Sequence, residues 1–386
     1  MNFYVIAGEP SGDRLGASLI KGLDSILNQP ANFIGIGGPM MKDLGVDSLF
    51  PMEDITIMGI GEILARYRFL KSRIFQTAKA IIDARPDALI TIDSPEFNLR
   101  VAELVRKKSD IPIIHYVAPS VWAWRSKRAF RMAKYVDHVL ALLPFEPHYM
   151  REAGMSCDFV GHPVVEEPVA NLNAAAAFRA QYDIGDAPLV LCLPGSRSSE
   201  IKYLAPIFGR TISELKKALP RSKVVVPAAE TVVSELRAQI SNWQDDVIVL
   251  DPRDHSRDKS LLDKQGAFRA ADVALAASGT VSLELAANET PMVIGYDMGW
   301  LSRQIIGRMV KTDTVTLVNL VSKTRHIPEY IGKNCTSKSL VAALQKTLNS
   351  PKDQLAAMRT TMDLLGRKQR PPGERAAVSV LNYLNV

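Results

Sequence analysis

Short apolar runs alternate along the chain with longer stretches in which apolar residues recur at helical spacing. In the first half the runs fall at residues 3–8 (FYVIAG), 33–38 (FIGIGG), 88–94 (ALITIDS), 112–118 (PIIHYVA), 138–143 (HVLALL) and 158–161 (DFVG). In the second half they fall at 189–195 (LVLCLPG), 223–228 (KVVVPA), 247–251 (VIVLD), 273–278 (VALAAS) and 292–297 (MVIGYD). Runs apolar on both faces are what strands of a sheet covered by helices on either side require. Their alternation with amphipathic helices predicts a doubly wound α/β fold. The rhythm breaks at 161–188, where Pro-Val steps, acidic residues and an alanine run intervene, and a linker is expected near residues 162–172. From residue 337 the pattern is helical only, interrupted by RPPGER (370–375) before a last helix.

A chain of 386 residues exceeds what one core usually serves. The expectation is two Rossmann-like domains facing each other across a cleft. They would span residues 1–165 and 166–364, with 365–386 a C-terminal helix able to pack back on the first domain.

Composition narrows the class only a little. The apolar fraction is 47% and the charged fraction 23%, as in an ordinary globular protein. The three cysteines, Cys157, Cys192 and Cys335, are far apart and odd in number, which supports neither a disulfide framework nor a cysteine zinc site. A reducing compartment is expected. The opening MNFYVIAGEPSGD has no basic leader, and no apolar run is long enough to span a bilayer. The excess of 47 Lys+Arg over 41 Asp+Glu suits nucleic acid, anionic lipid or a phosphorylated substrate equally.

Open α/β sheets bind ligands at the carboxyl ends of their strands, so chemistry is sought at strand-to-helix turns. The first is Gly8-Glu9-Pro10-Ser11-Gly12-Asp13. It is not G-x-G-x-x-G, and no acidic residue ends the second strand, which argues against a dinucleotide oxidoreductase. Ser11 and Gly12 are candidates for substrate contact; alternatively Ser11 or Asp13 caps the helix. A second turn places Asp93 at the tip of an apolar strand. A carboxylate half-removed from water gains basicity and can accept an alcohol's proton; the plainer reading is a helix cap. The stretch HYVAPSVWAWRSKRAFRMAK (115–134) sets Trp122 and its neighbours before Arg125 and further basic residues. It fits a phosphorylated, partly apolar ligand, an anionic membrane face or nucleic acid.

In the second half, Gly195, Ser196 and Arg197 lie between an apolar strand and a helix starting near Glu200. Glycine admits a bulky anion, the helix start offers N–H groups without helical acceptors, and arginine pairs with phosphate oxygens. Ser278, Gly279 and Thr280 form a similar junction, and Glu284, one turn further, can accept both hydroxyls of a ribose. Together they point to a nucleoside diphosphate. No D-x-D pair is present to chelate a divalent ion, so neither metal nor cofactor is expected.

The segments AGEPSGDRLGA, IDSPEFNLR, HYVAPSVWAWRSKR, LLPFEP, VGHPVVE, LPGSRSSEI, ASGTVSLELA and TLVNLV, spread from residue 7 to about 321, resemble the lipid-A-disaccharide synthases. The resemblance implies a GT-B glycosyltransferase that joins UDP-2,3-diacylglucosamine to 2,3-diacylglucosamine 1-phosphate. It would invert the anomeric centre, give the β(1→6) disaccharide and UDP, and work peripherally at the cytoplasmic face of a Gram-negative inner membrane. By motif, Asp93 corresponds to the base, and Arg197, Glu284 and Asn319 to the nucleotide-sugar site. The chain departs from the family pattern in a longer, more charged 251–263 stretch and in Val318, where proline is common. Such substrates favour membrane contact, for which the stretch 55–75 offers Ile60, Leu64, Arg66, Arg68, Leu70, Lys71 and Arg73; an ordinary core helix shows the same spacing. Two rivals remain at this stage. One is a GT-B transferase or epimerase with a water-soluble substrate; the other is a non-catalytic nucleic-acid-binding protein, against the expectation of no nucleic-acid partner.

Overall fold

Among the described residues, thirteen short strands sort into two parallel sheets. The computed structural model describes residues 1–56, 67–122, 127–243, 246–299 and 313–386. Contacts divide the chain into one unit of residues 1–166 with 368–386 and a second of residues 167–367.

The first unit holds β1 (Asn2–Ala7), β2 (Asn32–Ile36), β3 (Asp47–Ser48), β4 (Ala88–Ile92), β5 (Ile113–Tyr116), β6 (His138–Ala141) and β7 (Ser156–Phe159). Their order is β3-β2-β1-β4-β5-β6-β7, all parallel. The chain starts mid-sheet at β1, builds outward to β3, then returns to the other side of β1 with β4. That reversal puts a topological switch point between β1 and β4, in register from Phe3 with Ala88 to Ala7 with Ile92. Every residue of β4 is buried, which is why that strand reads as a continuous apolar run.

Four helices of this unit matter below: α1 (Pro10–Ile26), α2 (Tyr67–Ala84), α3 (Pro95–Arg106) and, closing the chain, α7 (Pro372–Leu384). The last packs on α1 at a crossing of small residues. A Cβ on Gly22 would lie 2.5 Å from the Gly373 carbonyl oxygen, and one on Gly373 2.2 Å from Ser18 Oγ. Ala376, Ala377, Val380 and Leu381 complete the core there. Ser379 Oγ contacts His138 Nε2 at 2.8 Å and donates to Asp158 at 2.7 Å, tying the helix to β6 and β7.

The second unit holds β8 (Leu189–Leu193), β9 (Lys223–Pro227), β10 (Ile248–Leu250), β11 (Val273–Ala276), β12 (Met292–Tyr296) and β13 (Glu329–Ile331), ordered β10-β9-β8-β11-β12-β13. The same logic places its switch point between β8 and β11. The helices that follow those two strands are α4 (Ser198–Ala218) and α6 (Val281–Ala287); α5 (Arg257–Ala270) precedes β11. The charged stretch 251–263 is anchored at its start. Asp251 is buried and accepts from both Arg237 and Arg253, and α5 already begins at Arg257.

Candidate active site

At the first switch point two turns meet, Gly8-Glu9 after β1 and Asp93-Ser94 after β4. They abut closely: a Cβ on Gly8 would sit 2.4 Å from Ser94 Oγ. Asp93 and Ser94 both take the left-handed conformation, with φ of 47° and 42°. Such a pair persists only where its surroundings over-determine it. Here Asn98, buried one turn into α3, donates its amide to the carbonyls of Ile92 at 3.1 Å and Asp93 at 2.7 Å.

The turn projects Asp93 into a cavity of about 280 Å³ shared with Pro95, His115, Val117, Ser120 and Arg128. Burial, then the hydrogen-bonding and like charge of Glu9, push the Asp93 carboxyl up to about 6; Arg128 opposes them. His115 is held neutral. Burial and then Arg128 lower it to about 4, and its Nδ1 contacts Thr91 Oγ1 at 2.8 Å. Arg128 is paired with Glu96. The site therefore joins a carboxylate of raised basicity, a neutral imidazole and one cation. It is equipped to take a proton from a weakly acidic group near neutral pH.

Ser11 and Gly12 are not part of this cavity. Ser11 is exposed, and Gly12 lets α1 pack on Ala7 and Ile92. Neither Ser11 nor Asp13 caps α1, whose N-cap is Glu9. Asp13 instead accepts from the backbone N–H groups of Gly38, Met40 and Met41, capping the short helix that follows β2. Trp122 is fixed outside the cavity, with its Nε1 donating to Glu146 at 3.4 Å and its ring edge-on to Phe145. Arg125 lies outside the described residues.

At the second switch point the turns after β8 and β11 line one cavity of about 430 Å³. Gly195, Ser196, Arg197 and Glu200 come from the first turn; Ser278, Gly279, Thr280 and Glu284 come from the second. Gly195 has φ 120° and Gly279 φ 149°, which non-glycine residues rarely adopt. Open space surrounds Gly279, whereas a Cβ on Gly195 would meet Glu200 at 2.5 Å. The Glu200 carboxylate accepts the Ser196 N–H at 2.9 Å and lies 3.8 Å from the Arg197 guanidinium, so it shapes the turn from within. Arg197 is the N-cap of α4, its side chain 78% exposed and open to an anion. First-turn N–H groups of that helix add a positive end to the cavity.

Sequence reasoning missed Lys264 and Phe268, which α5 brings into the same cavity. Lys264 donates to Glu284 at 2.7 Å and lies over the Phe268 ring. Nothing in their local sequence marks them, because the partnership is tertiary. His115 and Arg128 belong to the 115–134 stretch already singled out, but their meeting with Asp93 is tertiary in the same way. Asn319, in contrast, is not brought to the cavity. It is buried, its amide donating to the Ile327 carbonyl and Glu329 while its oxygen accepts the Ile327 N–H, so it holds together the segment after β12.

Of the residues expected at a membrane, Ile60, Leu64 and Arg66 lie outside the described residues. Arg68 and Lys71 are exposed on α2. Leu70 is 8% exposed and turned into the core, and Arg73 lies over the rings of Phe50 and Phe69 and pairs with Asp54. The solvent face of α2 instead carries Tyr67, Phe69 and Phe75 among its cations. Among the described residues no helix is long and apolar enough to cross a membrane.

Two parallel, doubly wound units, each with a cavity at its switch point, define a GT-B fold. The chain superposes over its full length on S. aureus MnaA in a co-structure with UDP (TM-score 0.65, 12% identity, 96% of that chain covered). It does so equally on the UDP-GlcNAc 2-epimerase of Neisseria meningitidis bound to UDP-GlcNAc (TM-score 0.62, 12% identity, all of both chains). At such identity the likeness is one of fold. Within that fold the chain belongs to the lipid-A-disaccharide synthetase family, which it matches over residues 3–378. It is 52% identical to the lipid-A-disaccharide synthase of Ruegeria pomeroyi, covering 100% of this chain and 96% of that one. It is 41% identical to that of Rhodospirillum centenum, covering 99% and 94%.

Proposed function

We propose that this protein is an inverting glycosyltransferase that joins UDP-2,3-diacylglucosamine to 2,3-diacylglucosamine 1-phosphate. The products are the β(1→6) disaccharide 1-phosphate and UDP. The observation that carries the reading is that the family match spans both switch-point sites, a basic carboxylate in one unit and an anion cradle in the other.

The chemistry divides accordingly. The acceptor's 6-hydroxyl oxygen attacks the anomeric carbon while Asp93 takes its proton. The bond from that carbon to the UDP oxygen breaks on the opposite face, its electron pair leaving with the diphosphate. Attack and departure on opposite faces invert the centre. Arg197 and the first turn of α4 stabilise the charge gathering on UDP, a charge-assisted hydrogen bond contributing about 1.5–3 kcal/mol. Glu284, oriented by Lys264, is placed to accept from ribose hydroxyls.

The substrates decide where the enzyme works. Each buried methylene favours lipid by about 0.8 kcal/mol, so doubly acylated sugars stay in the bilayer. Peripheral association with an anionic membrane surface, at the cytoplasmic face, follows. The aromatic and cationic solvent face of α2, with Tyr67, Arg68, Lys71 and Phe75, supports it. The deciding experiment incubates the protein with the UDP-diacylglucosamine and the monosaccharide 1-phosphate in mixed micelles. The expected result is UDP and disaccharide in equal amounts. UDP without disaccharide, or a rearranged UDP-sugar, would contradict the reading.

A further inference from the structure

The cavity that holds Asp93 also holds a cation that the proposed proton transfer leaves unused. Among its described lining residues Arg128 is the one permanent positive charge, since burial keeps His115 neutral. Arg128 stands on the short helix Lys127–Met132, which Ala129 and Met132 anchor in the core. Its side chain is 26% exposed and pairs with Glu96, whose own side chain is 69% exposed. An ion pair with so exposed a carboxylate contributes little and yields readily to a better anion. Another wall of the cavity, residues 117–121, is held in a costly shape. Val117 has φ 83°, an outlier for a β-branched residue, and donates its N–H to the Leu140 carbonyl at 3.0 Å. Strain of this kind clusters where a ligand is clamped.

We infer that Arg128 is the specificity-determining residue for the acceptor's phosphate, which it binds in exchange for Glu96. This rests on the acceptor being the 1-phosphate of the proposed reaction, with Asp93 its base. In a pyranose, C5, which bears the attacking hydroxymethyl group, and C1, which bears the phosphate, are both bonded to the ring oxygen. A cavity of about 280 Å³ that seats the 6-hydroxyl at Asp93 therefore keeps the phosphate close as well. Two anions so placed in a half-buried site need a cation. The guanidinium supplies it, with paired N–H groups that match two phosphate oxygens. The recognised class is a sugar 1-phosphate; the same sugar without phosphate leaves Arg128 with Glu96.

The test is kcat/KM in mixed micelles for two acceptors, 2,3-diacylglucosamine 1-phosphate and 2,3-diacylglucosamine. It is measured in the wild type, Arg128→Met, Arg128→Lys and Glu96→Gln, each checked for folding by its thermal transition. Arg128→Met should cut the preference for the phosphorylated acceptor by roughly 10- to 150-fold, the equivalent of one charge-assisted hydrogen bond. With that acceptor the loss should appear mainly as a raised KM, as for a group bound alike in ground and transition states. Where the unphosphorylated sugar is too slow to measure, this KM alone decides. Arg128→Lys keeps the charge but not the paired donors, so it should fall between wild type and methionine, and it serves should the methionine variant not fold. Glu96→Gln should change the preference by less than about fivefold. An unchanged preference in the folded Arg128 variant, a fall confined to kcat, or a matching loss in Glu96→Gln makes Arg128 a structural residue and overturns the inference. A wild type that makes no disaccharide from the phosphorylated acceptor is a separate outcome, which removes the proposed reaction itself.

Discussion

The two switch points share a topology and differ in almost every chemical respect. In the first unit the turns after β1 and β4 present two carboxyl groups, and the left-handed positions are filled by Asp93 and Ser94. In the second unit the turns after β8 and β11 present Arg197 and backbone N–H groups, and the left-handed positions are glycines. On the proposed reading the Asp93 side chain is the reagent of the first turn, and its strained backbone aims it into the cavity. In the second the turns carry glycine, which on the same reading leaves the backbone N–H groups accessible to the diphosphate. One scaffold thus presents a carboxylate of raised basicity at one switch point and a cationic turn at the other by changing a handful of turn residues.

The largest effect expected on this contrast comes from Asp93→Ala. Loss of a positioned general base lowers turnover by about 10²–10⁴-fold, measured as disaccharide formed under saturating substrates. Arg197→Ala acts at the other turn and should lower kcat/KM for the UDP-sugar by roughly 10- to 150-fold, the equivalent of one charge-assisted hydrogen bond. Next is the proposed membrane face, the aromatic and cationic side of α2 in the first unit. Arg68→Ser with Lys71→Ser should weaken sedimentation with anionic vesicles roughly 30-fold at low salt, at about 1 kcal/mol per cation, without altering UDP binding. Unchanged vesicle binding would move the docking surface elsewhere.

The smallest effect concerns buried carboxyls away from the sites, where the same contrast recurs. Asp251 in the second unit is held well below the usual carboxylate range by Arg253 and Arg237. Glu146 in the first has no cation among its bonds. It accepts the N–H groups of Leu142 and Leu143 and the Trp122 indole, and burial pushes it up to about 7 from 4.5. The fold therefore favours its protonated form. The stability this contributes is present below 4.5 and is lost as pH rises through about 7. Glu146→Gln should raise the melting temperature by about 2–4 °C at pH 8 and leave it unchanged at pH 4. A lowered transition at both pH values would mean that the ionised carboxylate is what the loop requires.

The α/β class was legible because parallel strands buried on both faces leave long apolar runs, as at β1, β4 and β8. The edge strands β3 and β13 left no such trace, since Asp47 and Ser48 are exposed and Glu329–Ile331 only half-buried. The turns were legible as well, because glycine and small polar residues that interrupt an apolar run mark a strand's end. What sequence spacing could not show was the occupants of each cavity from other elements: His115 and Arg128 around Asp93, Lys264 and Phe268 beside Glu284. Helical phase was the other hidden variable. Leu70 and Arg73 share a helix with Arg68 and Lys71 but face the core, while Tyr67 and Phe75 face solvent. Asn319 looked like a ligand contact by motif, but its amide is consumed within its own segment.

The claim that the two switch points divide the reaction between them is tested most directly by titrating UDP into the Asp93→Ala and Arg197→Ala proteins in a calorimeter. The account predicts wild-type affinity in the first, despite its loss of turnover, and affinity at least about tenfold weaker in the second. Loss of UDP binding on removing Asp93, with binding retained on removing Arg197, would contradict it.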